Sequence, residues 1–116
     1  MKKVYDLEDR TFNFTKSIIN FVNTIPKTLA NVEVAKQLIR SGGSVGANYI
    51  EANEALSKKD FIYRIKLCRK EAKETTYWIK LLECNSDSDF EQNKLVREST
   101  ELTNIFGAIY RKTNHD

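Results

Sequence analysis

Histidine, proline, cysteine and glycine are all scarce in this chain of 116 residues: one, one, two and four copies. The only histidine is His115, next to the C-terminal residue. The Glu-x-x-His pairs with which helical bundles hold two metals are therefore missing. A single proline and few glycines argue against a turn-rich β fold, and 30% charged residues suit long helices. Two cysteines make no disulfide framework. Cys68 and Cys84 fall in one predicted helix, roughly 24 Å apart at 1.5 Å per residue, whereas a bridge needs Cα atoms within ~7 Å. No run approaches ~18 consecutive apolar residues, so no membrane span is expected. The start, Met1 to Arg10, has a basic beginning at Lys2 and Lys3 but no apolar run after it, and does not read as a secretory signal. We expect a cytoplasmic, reduced protein of one domain.

What is present is helical periodicity. Leu7, Phe14, Ile18, Phe21 and Ile25 mark one face of a first helix, which Pro26 ends. Asn31 is the expected N-cap of a second, with Glu33 in its first turn. There Ala35, Leu38, Gly42, Val45, Tyr49, Ala52 and Leu56 follow at alternating steps of three and four, a seam facing other helices. Ser57 and Asp60 open a third helix, whose seam is Phe61, Ile65, Cys68, Ala72, Thr75, Ile79 and Leu82. Asn85 to Ser88 ends it, and Ser88 with Glu91 suggests a capping box for the fourth. That helix carries Phe90, Leu95, Leu102, Ile105, Phe106 and Ile109. Nothing alternates with period two for long enough to make a strand. The expectation is all-α, with helices at roughly residues 7–25, 32–56, 58–85 and 89–112 in an up-down-up-down antiparallel four-helix bundle.

Polar features then stand out against the seams. Gln37, Ser41, Ser44, Asn48 and Glu51 form a row hard against the core. On the third helix Glu71 and Glu74 lie in an otherwise apolar arc with Leu67, Trp78 and Leu81. Carboxylates there must be paired, and Arg64 or the polar row are the expected partners. We read Ser44, Asn48, Glu51, Glu71 and Glu74 as one polar network fixing helix register. No nucleophile, phosphate loop or base triad accompanies these carboxylates, so no catalytic residue, metal ligand or cofactor is assigned. Leu67, Trp78 and Leu81 widen the apolar arc beyond one bundle's needs and suggest a subunit interface.

Net charge is only +3, but its distribution is uneven. Between Lys58 and Lys73 there are seven bases against Asp60 and Glu71, whereas Glu83 to Glu101 holds six acids against Lys94 and Arg97. Lys59, Lys66, Lys70, Lys73 and Lys80 share one stripe of the third helix with Tyr63 and Tyr77 between them. The plain reading is a solvated face; the functional one is a surface for nucleic-acid phosphates.

Two blocks carry a resemblance. Ser44-Val45-Gly46-Ala47-Asn48-Tyr49-Ile50-Glu51-Ala52 resembles the S-I-P-A-N-I-A-E-G signature of four-helix-bundle proteins encoded in intervening sequences of bacterial 23S rRNA genes. Lys70-Glu71-Ala72-Lys73-Glu74-Thr75-Thr76-Tyr77-Trp78-Ile79 is similar to the family's second block, K-E-A-x-E-T-x-Y-W-L. Gly46 stands in place of proline and Ala52 in place of the last glycine, with larger Tyr49 and Ile50 between. The resemblance implies an up-and-down bundle assembling as a ring-like homopentamer, with no established activity. It also implies similarity to the basic pentameric accessory proteins of diversity-generating retroelements, which contact reverse transcriptase and nucleic acid. The expected function is a non-enzymatic oligomeric protein binding RNA or DNA. The alternative is a scaffold for a protein partner, with the lysine stripe serving solubility alone.

Overall fold

Three of the four helices begin where a side chain takes up a free backbone N–H. In the computed structural model, which describes residues 6–115, these are α1 (Leu7–Val22), α2 (Leu29–Asn53), α3 (Lys58–Leu81) and α4 (Asp89–Asn114). One 3-10 turn, Ser86–Ser88, leads into α4, and the described residues contain no strand. Asp6 accepts from Glu8 N at 2.9 Å, Thr28 from Asn31 N at 3.1 Å and Ser57 from Asp60 N at 3.0 Å. Ser57 caps α3 as its sequence suggests. Ser88 makes no side-chain cap bond; instead its N–H donates to Asn85 O at 2.8 Å, and Asp89 and Glu91 supply negative charge to the first turn.

The cap of α2 is a correction. Thr28, not Asn31, is the N-cap, so the helix starts three residues before the expected position. Asn31 is 3% exposed and serves another purpose. Its Nδ2 donates to Pro26 O at 2.9 Å and to Glu83 O at 2.7 Å, while its Oδ1 accepts from Glu83 N at 3.1 Å. One amide thereby ties the α1–α2 connection to the exit of α3. The helix ends also differ from the expected ones. α1 stops at Val22, and Thr24 folds back through its N–H and hydroxyl onto Phe21 O. α2 stops at Asn53, leaving Leu56 almost wholly exposed rather than in the seam. α3 stops at Leu81, so Cys84 lies outside it.

The core combines Phe14, Ile18 and Phe21 of α1 with Leu38 and Val45 of α2, Ile65, Cys68 and Ile79 of α3, and Leu102 and Phe106 of α4. Both cysteines are free. Burial pushes the Cys68 thiol up to about 12, and the protonated sulfur donates to Val45 O at 3.5 Å.

Contacts fix how neighbours run. As residue number rises along α1 it falls along α2: Glu8 meets Asn53, Thr11 meets Gly46 and Thr15 meets Gly42. Along α2 and α3, Asn48 meets Arg64, Val45 meets Cys68 and Ser41 meets Thr75. Along α3 and α4, Arg69 meets Gly107, Thr76 meets Ser99, and Ile79 O accepts from Gln92. A Cβ on Gly46 would stand 2.9 Å from the Thr11 hydroxyl, so the missing side chain sets how closely α1 packs on α2. The helix stays regular through all three of its glycines, none of which has positive φ. α3 thus has α2 on one flank and α4 on the other, and its two polar faces meet different helices.

Candidate nucleic-acid interface

The α2 flank of α3 gathers most of the polar row. Arg40 reaches both acids, pairing with Glu74 and lying 3.5 Å from Glu71 Oε1. The Trp78 indole donates to Glu74 at 2.8 Å. Arg64 donates to Asn48 Oδ1 at 3.1 Å, Asn48 Nδ2 to Ser44 O at 2.9 Å, and Ser44 Oγ to Arg40 O at 2.9 Å. The charged partner of the two carboxylates is therefore Arg40, not the expected Arg64 or the polar row of α2. The reason is register: Arg64 sits seven residues from Glu71 on the same helix, roughly 10 Å along it, and opposite Asn48. Among the described residues Glu71 Oε1 is buried without a hydrogen-bond partner, and the Arg40 guanidinium balances its charge. Glu51 is exposed and joins none of these bonds. Leu67 and Trp78 are half-buried and Leu81 is exposed.

The α4 flank is different in kind. A groove of about 500 Å³ runs between α3 and α4, lined by Arg69, Lys73, Thr76, Tyr77 and Lys80 on one side and Thr100, Thr103 and Asn104 on the other. No carboxylate lines it. At one end Gly107 makes room for two arginines. A Cβ built there would stand 3.2 Å from Arg69 Nε and 3.4 Å from an Arg111 terminal nitrogen. Neither guanidinium has a hydrogen-bond or ion-pair partner among the described residues. Lys66 caps this end, its ammonium 5.5 Å from the centre of the Tyr110 ring.

The acids of α4 turn the other way. Glu98 and Glu101 both bind Arg10 of α1, at 2.6 and 2.7 Å. Hydrogen bonding to Glu98, more than any other contact, holds the Arg10 proton tighter than usual. Glu98 and Glu101 thus face α1, and the charged residues that line the α3–α4 groove are all basic.

The sequence profile of the 23S rRNA-intervening sequence proteins matches residues 4–108. The chain belongs to that family. Its bundle is similar to the crystal structure of a protein with unknown function from the S23 ribosomal protein family of Bacteroides thetaiotaomicron. Identity is 31% over 90% of this chain and 98% of the other, with a TM-score of 0.72. No curated protein matches the chain.

For this family member, the structure divides the lysine stripe. Lys73, Tyr77 and Lys80 line the groove and Lys66 stands at its end. Lys59, Tyr63 and Lys70 are exposed on α3 outside it. Sequence reasoning left Arg69, Thr76, Thr100, Thr103, Asn104, Gly107 and Arg111 off the site. A signal was there to find: Thr100, Thr103, Gly107 and Arg111 recur at steps of three and four on one face of α4.

Proposed function

We propose that the protein is a non-enzymatic, cytoplasmic, homo-oligomeric bundle that binds the backbone of RNA or DNA along the α3–α4 groove. The observation that carries this reading is a groove lined by Arg69, Lys73 and Lys80 without a carboxylate, with Arg111 beside Arg69 at Gly107 and neither arginine paired among the described residues. Four phosphate contacts per chain on a single strand, each releasing a counterion, give a salt slope near −0.7 per contact. Affinity measured by fluorescence anisotropy is expected to fall about 50-fold between ~50 and ~200 mM salt. Binding that ignores salt, or none at the lower salt, would overturn the proposal.

The same reading includes an up-down-up-down antiparallel bundle assembled as a ring-like homopentamer. The residue pairings above support the first part. Two open apolar surfaces support the second: Leu81 with half-buried Leu67 and Trp78 on α3, and a groove of about 300 Å³ between α1 and α2 flanked by exposed Phe12 and Ile50. Two different surfaces on one chain suit a head-to-tail contact, which gives a ring when the rotation between copies closes. Light scattering is expected to give several times 13.4 kDa, and Phe12→Glu with Ile50→Glu to give the monomer. The exposed apolar groove also favours the alternative, a scaffold for a protein partner. Absence of nucleic-acid binding at low salt would bring that reading forward.

A further inference from the structure

Across the groove from its cations lie hydroxyls whose protons are already committed. Thr100 Oγ1 donates to Val96 O at 2.8 Å, and Thr103 Oγ1 to Ser99 O at 2.8 Å. A hydroxyl has one proton and two lone pairs, so each of these oxygens, its proton given to the helix, has only acceptor capacity left for a ligand. Phosphate oxygens also only accept, and they gain nothing from these two positions. Next to them Asn104 has an exposed amide with no side-chain bond among the described residues, able to give and to take. The lining of the groove therefore has two chemically unlike walls: the cations Arg69, Lys73 and Lys80 on α3, and the hydroxyls of Thr100 and Thr103 on α4, with Arg111 of α4 beyond them at Gly107.

A ligand matched to both walls carries an anionic backbone with a hydrogen-bond donor beside each phosphate. Resting on the nucleic-acid reading above, we infer that the groove prefers RNA to DNA by accepting hydrogen bonds from ribose 2′-hydroxyls at Thr100 and Thr103. The 2′-hydroxyl is the group that differs between the two backbones, and it can donate. DNA satisfies the α3 wall equally well but leaves the two threonine oxygens facing a carbon-bound hydrogen.

The test uses three single strands of about twelve nucleotides, a length within the ~4–16 that single-strand binders cover. They are oligouridine, its 2′-O-methyl form and oligodeoxyuridine, which share one base and differ only at the 2′ position. The 2′-O-methyl probe keeps the oxygen and loses the proton. At ~50 mM salt the unmodified strand is expected to bind the parent protein about tenfold more tightly than either other probe, as two neutral hydrogen bonds allow. In the double variant Thr100→Val, Thr103→Val, which keeps shape and removes both acceptors, the three probes should bind alike, at the level of the parent with DNA. Thr100→Ser with Thr103→Ser should restore the preference. Equal binding of all three probes to the parent, or a preference that survives in the valine variant, overturns the inference and leaves the nucleic-acid reading standing. Binding of none of them overturns both.

Discussion

Replacing Arg69, Lys73 and Arg111 together by glutamate is expected to lower RNA affinity roughly 1,000-fold at ~50 mM salt. A hydrogen bond to a charged group contributes about 1.5–3 kcal/mol, and three lost at the lower figure amount to about 4.5 kcal/mol. The glutamates add repulsion to that loss. Arg69, Lys73 and Arg111 are exposed side chains outside the core, so helicity and oligomer mass should stay as in the parent. The informative comparison is Lys58→Glu, Lys59→Glu and Lys70→Glu, an equal change of charge on α3 outside the groove. Long-range attraction alone would make the two triple variants alike, because both alter the same field. A groove that holds phosphates makes the first far weaker than the second. Equal losses, measured by anisotropy on one RNA, would sink the groove as the binding site and return the role to general surface charge.

That comparison also separates what the sequence could reveal from what it could not. The seam of α3 was legible because burial of Ile65, Cys68, Ala72, Thr75, Ile79 and Leu82 follows helical periodicity, a property of one segment. The lysine stripe was legible for the same reason, and incomplete for the same reason. Periodicity places Lys66, Lys73 and Lys80 on one side of α3, but the groove exists only where a second helix forms its other wall. Thr100 and Thr103 lie more than twenty residues from Lys73, and they come opposite it through the α3–α4 register that pairs Thr76 with Ser99 and Arg69 with Gly107. Ion-pair partners were hidden likewise. Arg64 shares α3 with Glu71 and Glu74 and Arg40 does not, yet the α2–α3 register sets Arg40 against both acids and Arg64 against Asn48. The cap of α2 was misplaced for a simpler reason. Thr28 and Asn31 are both good capping residues three positions apart, and nothing local says that Asn31 has partners at Glu83.

Those partners make Asn31→Leu the substitution with the largest expected loss of stability. Three hydrogen bonds end on this amide, two from its Nδ2 to Pro26 O and Glu83 O and one from Glu83 N to its Oδ1. Leucine approximates the volume and supplies no partner, so a backbone N–H and two carbonyls are left with lost bonds. Each unsatisfied group costs about 1–3 kcal/mol where it is buried. These groups are only partly covered, so the sum is set near the bottom of that range, at about 3 kcal/mol. With a urea slope of about 1.5 kcal/mol/M for a domain of this size, the unfolding midpoint should drop by roughly 2 M. Thr28→Ala serves as the yardstick. It removes the cap bond to Asn31 N and leaves the amide contacts in place, for an expected loss of about 1 kcal/mol. Both variants must be compared at one protein concentration, since assembly adds to apparent stability by mass action. A midpoint for Asn31→Leu no lower than that for Thr28→Ala would mean that water replaces the amide at no cost. The tie between the α1–α2 connection and the end of α3 would then be a contact without consequence for the fold.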